Sequence, residues 1–188
     1  LITEAQPDSV LQTSVLGVPF EADMESALEN WTAVNWSTAA EANHTSGGDT
    51  GWRYDIGSES GYDNGLPSTG MLTSAPLDIP SSGEAYLRFF YNYETEDERP
   101  HWDQRWVQIS SDGGNFENVL LLSEDPMGYW LKSPAISLAA YAGQTIRIRF
   151  YFATRDALLN QYAGWFIDDV SVTLDPPPDC GDENNTVS

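Results

Sequence analysis

The feature that most constrains the fold is a two-residue alternation of apolar and polar side chains. It is clearest over residues 145–152, where Ile146, Ile148, Phe150 and Phe152 alternate with Arg147, Arg149 and Tyr151. Residues 85–93 repeat it, with Ala85, Leu87, Phe89, Tyr91 and Tyr93 on one side. Successive side chains of a β-strand point to opposite faces, so this period predicts strands with one buried face.

Turn signals separate the strand candidates. Asp112-Gly113-Gly114-Asn115 lies between two such segments and predicts a hairpin, because Gly tolerates the positive φ of tight turns. Helical signals are limited to short turns within residues 21–30 and 138–143. The sequence therefore predicts an all-β fold with little helix: a jelly-roll β-sandwich of two antiparallel sheets.

The last predicted strand, residues 164–174, contains a pair of adjacent carboxylates. Phe166, Val170, Val172 and Leu174 share one parity and are expected to face inward. Asp168 has the same parity and would also point toward the core, whereas Asp169 would point away. A buried carboxylate costs several kcal/mol unless it is paired or bound to a metal.

Charge makes a cation the simplest partner for Asp168. The chain carries 8 Lys and Arg against 29 Asp and Glu, a net charge of −21. First and last strands of a sandwich are often neighbours, which would bring Glu21 and Asp23 close to Asp168 and Asp169. Asp103, just before another strand, is a further candidate ligand. Calcium takes about 6–8 oxygen ligands and suits this set; the alternative is that Asp168 bonds backbone amides or an arginine such as Arg147.

The same charge excludes several classes of partner. Nucleic acids and anionic membranes need clustered Lys and Arg, so neither is expected. No apolar stretch reaches the roughly 20 residues of a membrane-spanning helix.

Aromatic residues suggest a second type of site. Trp102, Trp106 and Trp130 lie in loops or on an outer strand face, where planar rings can stack on sugars. The alternative is that such rings serve core or rim packing.

Catalytic motifs are weak, and the chain is predicted not to be an enzyme. Neither histidine lies in a His-Glu-x-x-His motif, and no Gly-x-Ser-x-Gly elbow occurs. A glycoside-processing enzyme remains an alternative, since acidic pairs are common in so acidic a chain.

Composition divides the chain into three parts. Residues 1–18 are predicted to be a linker or edge strand, 19–174 the β-sandwich domain, and 175–188 a Pro-rich linker that begins a following module. Cys180 is the only cysteine, so an intrachain disulfide is excluded. The chain starts at Leu1, which predicts a piece of a longer protein.

Several segments together resemble a known family. Phe20-Glu21-Ala22-Asp23, the segment 138–144 (Leu-Ala-Ala-Tyr-Ala-Gly-Gln) and the segment 164–170 (Gly-Trp-Phe-Ile-Asp-Asp-Val) occur in the order found in MAM-like and immune-inhibitor-A-type accessory domains of secreted proteins. The resemblance spans roughly residues 19–174. The absence of cysteine there places the chain nearer the bacterial branch.

The resemblance implies function as well as fold. It implies a non-catalytic jelly-roll domain that is secreted or at the cell surface. It also implies a structural calcium ion held by Glu21, Asp23, Asp168 and Asp169. Asp103 matches an Asp of the bacterial members. The leading prediction is therefore a calcium-stabilised, non-catalytic extracellular module that contacts a protein, a glycan or its neighbouring domains. The alternative is a carbohydrate-binding module that uses Trp102, Trp106 and Trp130.

Overall fold

The computed structural model describes residues 14–26, 28–56, 61–96, 102–123 and 125–174. Within these ranges the strands are β1 Phe20–Ala22, β2 Trp31–Val34, β3 Trp36–Ala39, β4 Gly51–Tyr54, β5 Thr69–Ser74, β6 Leu77–Asp78, β7 Tyr86–Glu94, β8 Asp103–Ser110, β9 Glu117–Leu121, β10 Leu131–Lys132, β11 Ile136–Ser137, β12 Thr145–Thr154 and β13 Gly164–Thr173. The described helices are single 3₁₀ turns at Leu28–Asn30, Ala40–Ala42 and Ala139–Tyr141.

The strands form two antiparallel sheets. Sheet I has the order β10-β7-β13-β4-β3, with β1 added to β13 and β11 added to β7. Sheet II has the order β2-β5-β12-β8-β9, with β6 added to β12. The predicted all-β, two-sheet fold is confirmed. Of the predicted linker or edge strand 1–18, residues 1–13 lie outside the described residues, as does the predicted linker 175–188. In the described part, Leu16 bridges to Leu77.

Aromatic rings join the two sheets. Phe150 of β12 lies 4.9 Å from Phe89 of β7 and 5.8 Å from Trp165 of β13, measured between ring centroids, with the rings edge to face. Such pairs add about 0.5–1.5 kcal/mol beyond the burial of their area. All three residues are fully buried, so the predicted inward faces of β7 and β12 are confirmed.

The hairpin prediction is also confirmed. β8 and β9 pair on either side of the predicted turn. The Asp112 side chain accepts hydrogen bonds from the backbone N–H groups of Gly114 and Asn115. Gly113 has a φ of 74°, which explains the glycine at that point.

The predicted inward face of β13 is confirmed for Val170 and Val172 and wrong for the rest of the strand. Trp165 and Ile167 are in the core cluster, and Leu174 is 39% exposed. Opposite β7, the register steps two residues from Phe90 to Arg88 while β13 advances three, from Asp168 to Ser171. This β-bulge inserts one residue and reverses the parity, so Val170 and Val172 still reach the core.

Candidate functional site

The bulge places Asp168 on the outer face of sheet I, not in the core. Asp168 is opposite Phe90, a residue of the outward parity of β7. Its side chain is nevertheless 0% exposed, because residues 43–48, the polar loop between β3 and β4, cover it. The expectation that Asp168 points inward is therefore wrong in direction, although its burial is real.

Backbone N–H groups, two of them from the polar loop, donate hydrogen bonds to the carboxylate of Asp168. Its Oδ2 accepts hydrogen bonds from the backbone N–H of His44 at 2.6 Å and of Thr45 at 3.2 Å. Its Oδ1 accepts one from the N–H of Asp169 at 2.8 Å. Burial raises the pKa of Asp168, and these three N–H groups oppose the rise. Of the two partners considered from sequence, backbone amides are the one observed; Arg147 lies in sheet II.

Asp169 contacts the same loop through its side chain. Its Oδ1 accepts a hydrogen bond from the Thr45 hydroxyl at 2.6 Å, and its Oδ2 lies 2.6 Å from Nδ1 of His44. Its φ is 47°, a conformation that costs energy outside glycine and concentrates at bulges and functional sites. Both adjacent aspartates thus contact one loop, which the expected opposite orientations did not anticipate.

An aromatic stack extends from this network. The His44 ring stacks on Phe90 with a centroid distance of 3.8 Å, and Trp130 lies 5.3 Å from His44. Trp130 is therefore a neighbour of the sheet I network. This position separates it from Trp102 and Trp106, which belong to the β8 side of sheet II.

A pocket of about 250 Å³ opens beside Asp169. Its charged lining residues are Glu21, Asp23, Asp169, Arg88 and Lys132. β1 pairs with β13 antiparallel, with Glu21 opposite Ser171, so the predicted contact between the first and last strands exists. One pocket is therefore lined by Glu21, Asp23 and Asp169. Asp168, which precedes Asp169 in the sequence, is not among its lining residues.

The oxygen atoms around the polar loop suit a hard cation in type. Oε1 of Glu25 and Oδ1 of Asn43 both lie beside Gly48. The Glu25 oxygen accepts hydrogen bonds from the backbone N–H groups of Asp49 and Thr50 at 2.8 and 2.9 Å. Oδ1 of Asn43 is buried and has no hydrogen-bond partner. Yet in the described part of the chain no group of three or more His, Cys, Asp or Glu residues is arranged to hold a metal. The donor types fit calcium, and their present arrangement is that of a hydrogen-bonded network.

Asp103 occupies a different place. It lies on β8 in sheet II, is 1% exposed, and accepts hydrogen bonds from the Tyr62 hydroxyl and the Glu96 N–H. The buried guanidinium of Arg105 donates to its backbone carbonyl at 3.0 Å. Burial raises the pKa of Asp103. It does not line the Asp169 pocket, so the structure does not bring it together with the other four predicted ligands.

The outer face of sheet II is of a different kind. One row of side chains crosses all five strands of its main path in register: Val34, Met71, Tyr151, Trp106 and Leu121. All five are partly or largely exposed. We call this the aromatic row, since Tyr151 and Trp106 lie at its centre.

A polar row runs beside the aromatic row, two residues away along each of the three central strands. It consists of Thr32, Thr73, Arg149, Gln108 and Asn118. Gln108 donates to Oδ1 of Asn118 at 2.8 Å. Together the rows place aromatic rings at the centre of the outer face, with amide, hydroxyl and guanidinium groups along one side.

The predicted ligand residues divide between the two sheets. Trp106 is half-buried in the aromatic row, and its Nε1 donates to Oε1 of Gln104 at 3.2 Å. Trp102, which is 46% exposed, precedes β8 with the same parity, and its carbonyl accepts a hydrogen bond from the N–H of Arg155. Trp102 lies in a bend four residues before Trp106, so the two are at most roughly 13 Å apart along the chain.

Sequence reasoning missed several partners. His44, Thr45 and Glu25 were not candidates, and Tyr151 was noted only for its parity. The first three lie in loops, where the alternation of side chains that identifies strand faces is absent. His44 is also 124 residues from Asp168 in the sequence. Tyr151 could have been found, because it stands on the outward parity of the best-defined strand.

Comparison with known proteins gives the fold. No protein-family model and no curated protein sequence matches the chain. Among solved structures, TmCBM61, solved in complex with beta-1,4-galactotriose, has a TM-score of 0.51 at 13% identity over 82% of this chain and 94% of that chain. The K1 cleaved adhesin domain of Lys-gingipain from Porphyromonas gingivalis W83 has a TM-score of 0.52 at 16% identity over 85% and 100%.

A third neighbour has the same architecture. The CBM22-1 xylan-binding domain of Xyn10C from Paenibacillus barcinonensis has a TM-score of 0.50 at 9% identity over 88% of this chain and 99% of that chain. At such identities the likeness establishes a shared β-sandwich fold and nothing finer. Within the described residues, no helix has the length and apolar character needed to cross a membrane.

Proposed function

We propose that this chain is a non-catalytic glycan-binding module of a secreted or cell-surface protein. The observation that carries the proposal is the aromatic row on sheet II, with Tyr151 and Trp106 adjacent in register and the polar row beside them. This is the alternative function drawn from the sequence, with its site moved: Trp106 and Trp102 stay in it, Trp130 leaves it, and Tyr151 enters.

The chemistry of the surface suits a sugar chain. The apolar face of a pyranose stacks on an aromatic ring, and its hydroxyl groups need donors and acceptors at the ring edge. The two rows supply both at neighbouring positions. Since the rings stand on paired strands of a packed sheet, little conformational freedom is lost on binding.

The position of Trp102 suggests a direction for the bound chain. It is exposed, lies immediately before β8 and is at most roughly 13 Å along the chain from Trp106. A glycan that follows β8 would contact both rings. The site would therefore accept the interior of an extended polymer rather than one terminal sugar.

The same surface argues against hydrolysis. Glycosidases use two carboxyl groups about 5–10 Å apart on either side of the scissile bond. The ten residues of the two rows include no Asp or Glu. Two neighbours of the same fold are compatible with a binding role: one was solved with beta-1,4-galactotriose and the other is described as xylan-binding.

Matched tryptophan variants test the proposal. The full chain is screened on a glycan array, and the strongest hits are titrated by calorimetry. We expect Trp106→Ala to weaken binding by at least thirtyfold, the effect of losing a central aromatic contact of about 2 kcal/mol. Trp130→Ala, on sheet I, is the control and should bind as the parent does. An array with no binding, or equal losses for both variants, would refute the assignment.

Structural calcium is a second proposal, for the network of sheet I. Its support is chemical: Glu21, Asp23 and Asp169 line one pocket, and the buried Asn43 Oδ1 next to Glu25 has no partner. Calcium there would lock β1 and the polar loop onto β13. Asp103 lies on sheet II, away from this set, and we propose that it has a structural role instead.

Thermal unfolding with calcium and with EGTA tests the metal. A hundredfold excess over Kd should add about 2.7 kcal/mol to the free energy of unfolding, or roughly 5–11 °C in Tm. Glu25→Gln should reduce this shift, while Glu117→Gln on the exposed β9 should keep it. Identical melting curves in calcium and EGTA would exclude the site.

Three statements remain predictions from the sequence: membership of a MAM-like or immune-inhibitor-A-type family, the module boundary near residue 174, and a location outside the cell. A peptidase or glycosidase encoded in the same reading frame would support all three.

A further inference from the structure

The distribution of basic residues on sheet II points beyond sugar binding in general. Acidic residues outnumber Lys and Arg by 29 to 8 in this chain. Nevertheless the polar row holds Arg149 at its centre, and neither row holds a carboxylate. So rare a residue type at the middle of the proposed binding face needs a reason.

Most of the other described basic residues have evident roles within the protein. Arg53 forms ion pairs with Glu41 and Asp55. Arg105 is fully buried and stacks on Tyr93. Arg88 and Lys132 line the pocket that also contains Glu21, Asp23 and Asp169.

Arg149 is held in place but left without a counter-charge. Its Nε donates to the Thr73 hydroxyl at 3.1 Å, and its guanidinium carbon lies 3.4 Å from the centroid of the Phe116 ring. No carboxylate of the described residues lies within ion-pair distance of it. A guanidinium has five N–H donors; the Nε bond uses one, and the four on the two Nη atoms have no bond among the described residues.

The position of these Nη donors relates directly to the aromatic row. Arg149 lies between Thr73 and Gln108 in register and two residues before Tyr151, on the same face of β12. Two strand residues span roughly 6.6 Å, so a group on a sugar stacked at Tyr151 would come within reach. Partial burial already lowers the pKa of Arg149, because its charge lacks full hydration.

We propose that Arg149 recognises the anionic group of an acidic glycan, a carboxylate or a sulfate, bound on the aromatic row. This rests on the proposed function and names the class of polymer that the site selects. The planar guanidinium matches the geometry of both anions and can bind either one through two parallel hydrogen bonds.

Arg147 stands next to this site on the outward parity of β12 and contributes less. Its Nη1 donates to the Ser74 carbonyl at 2.9 Å, and it shares a surface pocket with Asp112. The Asp112 carboxylate accepts hydrogen bonds from backbone N–H groups of its own turn. Its negative charge nevertheless lies near Arg147 and would oppose an anionic ligand there. Arg149 is therefore the main determinant of charge selection.

The net charge of −21 does not preclude an anionic ligand. At 0.15 M salt the screening length is about 8 Å, so distant carboxylates are largely screened while a direct ion pair is not. The repulsion slows association and leaves the contact at Arg149 to decide which polymer remains bound.

The experiment compares glycans that differ only in charge. The full chain is titrated with an oligogalacturonate and with its methyl ester, and in a second arm with a sulfated galactan fragment before and after desulfation. All titrations are made in 0.15 M NaCl with EGTA, so that calcium cannot bridge carboxylates to the protein. We expect the anionic member of at least one pair to bind about tenfold more tightly, equivalent to about 1.4 kcal/mol.

Variants assign the effect to one side chain. Arg149→Gln should weaken the anionic member about tenfold more than its neutral partner, so that the preference disappears. Lys132→Gln makes the same change in net charge on sheet I and should keep the preference. Because Arg149 also packs on Phe116, Arg149→Lys is measured as well: it keeps the charge without the two-pronged donor set and should retain only part of the preference. Melting temperatures establish that each variant is folded.

Each result has a distinct meaning. A preference in one pair only identifies carboxylate or sulfate as the recognised group. Equal affinity within both pairs, lost in Trp106→Ala, would overturn this inference and leave glycan binding standing. Binding of neither member of either pair, with no neutral hit on the array, would overturn both.

Discussion

On the outer face of sheet I, the polar loop 43–48 covers Asp168 and bonds Asp169, whereas on the outer face of sheet II Tyr151 and Trp106 stay partly exposed. On the first face both aspartates are hydrogen-bonded within the chain, through contacts between residues as far as 125 positions apart. The second offers planar rings and an arginine that lacks an anionic partner among the described residues. The comparison suggests that one face maintains the fold and the other meets the ligand, and variants on the two faces should therefore affect different measurements.

The largest effect is expected from Asp168→Ala. It would leave the N–H groups of His44, Thr45 and Asp169 without an acceptor, and an unsatisfied buried donor costs about 1–3 kcal/mol. We expect a loss of roughly 3 kcal/mol in the free energy of unfolding by urea titration, with glycan affinity unchanged in the folded fraction. Glu117→Gln, at an exposed position of β9, is the control. A neutral outcome for Asp168→Ala would break the assignment of stability to sheet I.

Tyr151→Ala should reduce glycan affinity and leave stability nearly unchanged, the reverse of the effect expected for Asp168→Ala. Removing one of the two central rings of the aromatic row is expected to weaken glycan binding about tenfold, or about 1.4 kcal/mol, and to leave Tm within a few degrees of the parent. Tyr151→Phe, which keeps the ring, should retain most of the affinity. If Tyr151→Ala bound as tightly as the parent, the aromatic row would not be the contact surface.

A smaller effect on stability is expected from Thr45→Val. The substitution keeps the shape of the side chain and removes the hydroxyl that donates to Asp169. A single hydrogen bond to a charged acceptor of this kind is worth about 1.5 kcal/mol, so Tm should fall by roughly 3–6 °C. Thr32→Val, at the edge of the polar row, is the matched control. Equal Tm values for the two variants would mean that the loop contact adds no stability.

The pH dependence of stability sharpens the comparison further. Burial raises the pKa of Asp168 and of Asp103, so the folded state binds protons at a higher pH than the unfolded chain. The stabilising contribution is complete below the ordinary carboxyl pKa and is lost as pH rises through the raised folded values. Mild acidification from about pH 7 should therefore increase the free energy of unfolding, and Asp168→Asn should reduce the slope.

Asp112 gives this profile its acid limit. Hydrogen bonds from Asn115 and Gly114 lower its pKa, so its contribution is present above the ordinary carboxyl pKa and disappears as pH falls through the lowered value. The curve should pass through a maximum, and Asp112→Ala should remove part of the decline on the acid side. A stability that rises steadily from acid to neutral pH would contradict the raised values at Asp168 and Asp103.

Sequence alone was informative where period two continued without interruption. The core faces of β7 and β12 follow from alternation, because each strand has one side on the other sheet. The same reasoning failed at β13, since a single extra residue at the bulge reverses the parity and no local signal in Ile-Asp-Asp-Val marks it. It also could not assign Trp130, because the two-residue strand β10 pairs with β7 through long-range contacts.

The candidate site divides in the same way. Trp106 was found because its parity opposes Val107 and Ile109, while the loop contacts of His44 and Thr45 depend on the path of the chain between strands. The contact of the first strand, which contains Glu21, with the closing strand was predicted from topology. The role of calcium there stays a prediction.

The bulge at Asp168 and Asp169 lets one strand supply both the core and the outer face of its sheet. If the same residues continued in regular alternation, Ser171 and Thr173 would turn toward the interior, and Val170 and Val172 would face water. Deleting Asp169 would instead leave both valines inward and remove the carboxylate that contacts His44 and Thr45. The extra residue therefore serves the polar loop rather than the core.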